Sequence, residues 1–199
     1  MQHPAPSRTL VRPLSRARRL TVLALAVCVA ALSAAFVIVV VNATFASAIA
    51  PFAPTADDGL IAEGAVVTLA DDDVPAVARL DAALRDAMRQ AEAAAAVDGV
   101  AFQVTSGWRS SQYQQWLLDD AIELYESEQV ARQFVATPER SSHVTGHAVD
   151  IAPVDAQLWL IQNGASFGIC QTYANERWHF ERATAPGGVC PEMRTDAAA

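Results

Sequence analysis

The residues of this chain best suited to chemistry gather in two short runs, SSHVTGHAVD at 141–150 and NERWHFE at 175–181. Zinc in a hydrolase takes three protein ligands of the His and Asp/Glu type and leaves the fourth position to a water whose pKa falls to about 7. His143, Asp150 and His179 meet that requirement. Gly146 allows a turn that folds the first two onto one side of a loop-to-strand corner, so His179 has to arrive from a neighbouring strand. Such a water needs a base, and Glu176, three residues before His179, is placed to take its proton and pass it to the leaving amine, work worth about 10²- to 10⁴-fold in rate. Arg109 is the candidate to hold a carbonyl oxygen as charge develops there, and Ser141 and Gln114 are candidates to bind substrate. Taken singly, each His reads more simply as a hydrogen-bonded packing residue; it is the set that points to a metal. His147 is expected to face solvent or support a ligand, and Trp178 to pack in the core and orient His179.

These side chains need elements to carry them. From Pro75 to Val97, Val77, Leu80, Leu84, Met88 and Ala91 recur at three- and four-residue steps, which predicts one helix with a buried face, ended by Asp98-Gly99. VAFQVT at 100–105 is a short β-type run that delivers Trp108 and Arg109 at its exit. A helix follows from Ser110 to about Tyr125, with Ser111 or Ser110 as its cap, and a shorter one spans 128–135, stopped before Thr137-Pro138. AVDIA at 148–152 alternates as a strand does, Asp155 to Gln162 forms another helix, and RWHFE at 177–181 is the last strand.

The same residues carry a resemblance. Ser141-x-His143-x-x-Gly146-x-Ala148-x-Asp150 is similar to the S-x-H-x-x-G-x-A-x-D signature of VanY-type D-alanyl-D-alanine carboxypeptidases, a zinc-peptidase group that includes D-Ala-D-Ala dipeptidases and endolysin peptidases. Glu176-Arg177-Trp178-His179 resembles that group's E-x-W-H motif, and Ser106-Gly107-Trp108-Arg109-Ser110 with Gln114 its S-G-Y-R-S and following Gln. The resemblance implies one zinc on His143, Asp150 and His179, Glu176 as base, Arg109 as transition-state stabiliser, and Ser141 and Gln114 as substrate contacts. Trp108 stands where Tyr is usual and keeps an aromatic, as a wall for the substrate or as core packing, and Arg177 stands where Pro is frequent. The expected activity is removal of the terminal D-Ala from peptidoglycan stem peptides. Two rivals keep part of this: an endopeptidase of the same group, and a non-catalytic wall-binding module whose zinc only holds the fold.

Bulk features set the location. Leu20 to Val41 is uncharged and long enough to cross a hydrocarbon core of about 30 Å. Five Arg precede it and none follows until Arg79, which places the N-terminus in the cytoplasm and the rest outside the bacterial membrane. A cleavable signal is the rival reading, with Ala46-Ser47-Ala48 as its small-x-small site, but its apolar region runs to only about 7 to 15 residues. The other nine Arg face all 22 acidic residues, a balance of −13 that disfavours nucleic acid as a partner. Cys28 lies in the apolar span; Cys170 and Cys190 lie in the exported part, where they are expected to pair around Trp178 and His179, with free thiols as the alternative. The organisation expected is a cytoplasmic Arg-rich segment at 1–19, a transmembrane anchor at 20–41, a stalk at 42–74 and a catalytic domain at 75–199. The domain is α+β, a small antiparallel sheet flanked by helices with a single zinc site.

Overall fold

The computed structural model describes residues 16–48 and 52–199, so His3, Arg8 and Arg12 of the Arg-rich segment lie outside the described residues. The chain divides into two units, at residues 1–51 and 52–199. In the first, α1 (Arg16–Ala48) is a single helix whose stretch Leu23–Val40, mean hydropathy 2.9, is apolar and long enough to cross a membrane. A membrane span and a signal sequence share that property.

The second unit holds the sheet. Strands β1 (Gln103–Ser106), β2 (Ala148–Ala152), β3 (Ile169–Gln171) and β4 (His179–Arg182) form an antiparallel sheet in the order β1-β2-β4-β3. Helices α2 (Pro75–Ala78), α3 (Ala82–Val97), α4 (Ser111–Tyr125), α5 (Glu128–Ala131) and α6 (Val154–Asn163) surround it. This is the α+β arrangement of a small antiparallel sheet and flanking helices that the pattern predicts. Alternation along a strand sends neighbouring side chains to opposite faces. On β2 and β4, Val149, Ile151 and Phe180 enter the core with Leu84, Met88 and Ala91 of α3 and Leu160 of α6. Asp150, His179 and Glu181 are therefore delivered to the other face.

Three differences from the sequence pattern have physical causes. The single helix expected over 75–97 is broken after Ala78, because Asp81 leaves the helix to accept hydrogen bonds from the Ala83 and Leu84 N–H groups and cap α3. Residues 52–74, expected as a stalk, belong to the folded unit: Val67 and Leu69 are buried in its core, the Val104 N–H donates to Val67, and Asp72 pairs with Arg85 and Arg89 of α3. Strand β3 escaped notice because ICQ is too short to show a period. It pairs with β4 from Ile169↔Arg182 to Gln171↔Phe180, and its Cys170 is disulfide-bonded to Cys190.

Candidate active site

Backbone register brings the site together. Asp150 on β2 stands directly opposite His179 on β4, so both side chains share one face at adjacent positions. His143 arrives from the loop before β2, which folds back through Gly146 at φ 74°. Gly146 also touches the break between α2 and α3: its carbonyl accepts the Asp81 N–H at 2.9 Å, and a Cβ there would lie 2.6 Å from the Arg79 carbonyl. Only glycine meets both demands. Gly107 is held as tightly, since a Cβ on it would stand 2.1 Å from the Ala76 carbonyl, and its own carbonyl lies 2.8 Å from His143 Nδ1.

With Nδ1 engaged by Gly107, His143 presents Nε2 to the centre. Three atoms converge there: His143 Nε2 is 3.2 Å from His179 Nδ1 and 3.4 Å from Asp150 Oδ1, and the latter two are 3.2 Å apart. Corners of a tetrahedron about 2.0 to 2.2 Å from zinc are separated by about 3.3 to 3.6 Å, so this triangle fits one such ion. Asp150 Oδ1 is buried without a hydrogen-bond partner, a cost a cation would remove. Among the described residues, these three form the group able to hold a metal.

Electrostatics divide the two histidines. Burial, helped by the positive Arg109, pushes His143 down to about 4, so it is neutral at pH 7. Burial also opposes charge on His179, but the Asp150 carboxylate beside Nδ1 and the Glu181 carboxylate bonded to Nε2 outweigh that and raise it to about 9. Burial favours the protonated form of Asp150 as well, yet the histidines facing it hold it well below the usual carboxylate range. Glu176 lies with Oε2 3.7 Å from His179 Nδ1, and burial raises its pKa. That shift moves a general base toward neutrality.

The triangle and Glu176 line a cleft of about 180 Å³, with Arg109, Gln114, Ser141 and Trp178 also in its wall. The guanidinium of Arg109 is fixed from three sides, by Ser106 Oγ at 2.8 Å, Gln114 Oε1 at 3.0 Å and Asp150 Oδ2 at 3.1 Å. Gln114 is fully buried and its other end donates to the Ala136 carbonyl at 2.8 Å, so both ends of its amide are engaged inside the protein. Trp178, expected in the core, is 44 % exposed; its neighbours His179 and Phe180 go inward and it borders the cleft instead. Trp108 is not among the residues lining the cleft, and its ring carries the Arg79 guanidinium at 4.3 Å. His147 is exposed and bonds Thr145. Tyr173 and Glu181 were missed by sequence reasoning. Tyr173 meets His179 edge-on at 5.0 Å and lines the cleft, but no motif marks it; Glu181 was legible only as the second residue after His179, hence on its face of the strand.

A family model described as VanY, D-alanyl-D-alanine carboxypeptidase, matches residues 77–183. A D-alanyl-D-alanine carboxypeptidase of Enterococcus faecalis is 28% identical over 127 residues, which are 51% of this chain and 47% of the relative, so the chain spans about half the length of that protein. Among solved structures, a Zn(II) complex of a mutant vancomycin-resistance D,D-pentapeptidase VanY is similar at 28% identity, covering 51% of this chain and 71% of that one with a TM-score of 0.48. VanYB in complex with D-alanine-D-alanine is similar at 28% identity, with 51% and 70% covered and a TM-score of 0.48.

Proposed function

Since the chain belongs to the VanY family of D-alanyl-D-alanine carboxypeptidases, we propose that it is a zinc carboxypeptidase that removes the terminal D-Ala from peptidoglycan stem peptides. The observation that carries this reading is the triangle of His143 Nε2, Asp150 Oδ1 and His179 Nδ1, with its orphaned carboxylate oxygen, beside Glu176 in a cleft. Zinc held by these three atoms would polarise the scissile carbonyl and lower the pKa of the attacking water. Glu176, ionised, accepts a proton from that water through its carboxylate and returns it to the amine of the departing D-Ala. Arg109 holds Asp150 in place with one arm and turns positive charge toward the cleft, where it favours the developing oxyanion. Ser141 and Trp178, on the wall, contact the peptide.

The three-membered ligand set and the retained Glu176 favour an enzyme over a wall-binding module, whose structural zinc would be closed by a fourth ligand. The apolar span at 20–41, the five arginines before it, and the Cys170–Cys190 disulfide support an anchored enzyme with its catalytic unit outside a bacterial membrane.

The test is mass spectrometry of products after the zinc-loaded full chain, in mild detergent, meets a pentapeptide ending in D-Ala-D-Ala, with Glu176→Ala as control. Loss of one alanine with the wild type and not with the variant is the expected result. Cleavage inside the peptide would replace this reading by the endopeptidase, and an intact peptide despite bound zinc would replace it by the binding module.

A further inference from the structure

Behind the proposed metal triangle lies a second convergence that the reaction above does not use. His179 turns Nδ1 toward Asp150 and His143, which leaves Nε2 pointing back into the protein. There it meets Glu181 Oε1 at 3.0 Å. The same oxygen accepts Ser142 Oγ at 3.0 Å, Thr172 Oγ1 at 3.1 Å and an Arg194 N–H at 3.3 Å. These donors come from the loop before β2, the segment after β3 and the stretch beyond Cys190, so the carboxylate is clamped by three separate parts of the chain. Glu181 is two residues from His179 on β4 and stands opposite Ala148 on β2, whose small side chain leaves room for the carboxylate.

We propose that Glu181 is a positioning residue for the metal site: by accepting the Nε2–H of His179 it fixes the ring's orientation and tautomer, leaving Nδ1 as the free donor to a divalent cation. A carboxylate hydrogen-bonded to the far nitrogen of a ligating imidazole also makes the near nitrogen a better electron donor, and loss of such a partner costs about 10- to 100-fold in metal affinity. The clamp matters because a free glutamate would lose side-chain entropy on holding the ring, whereas one held by Ser142, Thr172 and Arg194 has already been ordered. This deepens the zinc-site reading and rests on it.

The test is zinc affinity of the full chain in detergent at pH 9.5, where a proton on His179 no longer competes, by competition with a chromophoric chelator, for wild type, Glu181→Ala, Glu181→Gln and, as a control that loosens the fold elsewhere, Leu69→Ala, which opens a cavity in the core. The expected result is a loss of about 10- to 100-fold for Glu181→Ala, partial recovery in Glu181→Gln, whose amide oxygen still accepts from His179, and affinity within about threefold of wild type for Leu69→Ala at a similarly lowered melting temperature. Wild-type affinity in Glu181→Ala would overturn the positioning role, and so would an equal loss in Leu69→Ala, since that would make the effect one of stability. Failure of the wild type itself to bind zinc would instead overturn the metal-site reading beneath it.

Discussion

Zinc binding should expel one proton from His179 between pH 6 and 8, in addition to any that the metal-bound water loses. In the metal-free protein His143 is neutral at pH 7, with its pKa at about 4, whereas His179 holds a proton until about pH 9 because Asp150 and Glu181 both face it. Both imidazoles ligate only when neutral. Below pH 9 the cation competes with that proton, so the dissociation constant should rise about tenfold for each unit the pH falls. At pH 7, two units below, the penalty is about 100-fold, or roughly 2.7 kcal/mol at 1.36 per unit. The assay is titration calorimetry in two buffers of different ionisation enthalpy at pH 7, with chelator competition at pH 6, 7, 8 and 9. Repeating it on Glu176→Gln removes the other group at the triangle whose pKa burial raises, and the slope should persist. A proton count near zero, or an affinity flat from pH 6 to 9, would refute the reasoning by showing His179 already neutral or not a ligand.

The two histidines should also bend the pH dependence of stability in opposite directions. His179 is raised from 6.5 to about 9 by folding, so its stabilisation is full below 6.5 and lost as pH climbs through 9; His143 is lowered from 6.5 to about 4, so its share is present above 6.5 and lost as pH falls toward 4. Melting of the metal-free protein should peak near pH 6.5 for this pair, and a saturating zinc concentration should abolish the alkaline decline. Gly146→Ala should destabilise the catalytic unit by at least about 2 kcal/mol in urea unfolding, from φ strain and the clash with the Arg79 carbonyl. Gln114→Leu fills the same space but strands the Ala136 carbonyl and one arm of Arg109, so turnover should fall by roughly 10-fold or more while zinc affinity holds; unchanged kcat would assign Arg109 no dependence on Gln114.

What could be read from the sequence was whatever depends on spacing within one segment. The alternation of AVDIA locates β2 at the observed bounds and turns Asp150 away from Val149 and Ile151. Of the two serines placed to cap α4, Ser110 does so, with its Oγ accepting the Tyr113 N–H. His143, Asp150 and His179 were legible because a turn-forming glycine and the alternation of a strand are local facts, and the fold needed only to lay β4 beside β2. The partners that tune those ligands were not legible, because each is a meeting of distant segments. The Gly107 carbonyl reaches His143 across 36 positions, and Arg109 reaches Asp150 across 41. No period or composition reports such a distance. The same limit explains Gln114: its type and place in the chain suited a substrate contact, and only the approach of Ala136 shows both ends of its amide engaged within the protein. It also explains residues 52–74, whose turn formers suited a stalk until Val67 and Leu69 found the core under β1 and α3. Spacing therefore names the atoms that would meet a metal, while the surroundings that decide their protonation and aim, Glu181 foremost, arise from tertiary contact. The measurements that probe protonation and affinity test the part of the site that the motifs alone could not supply.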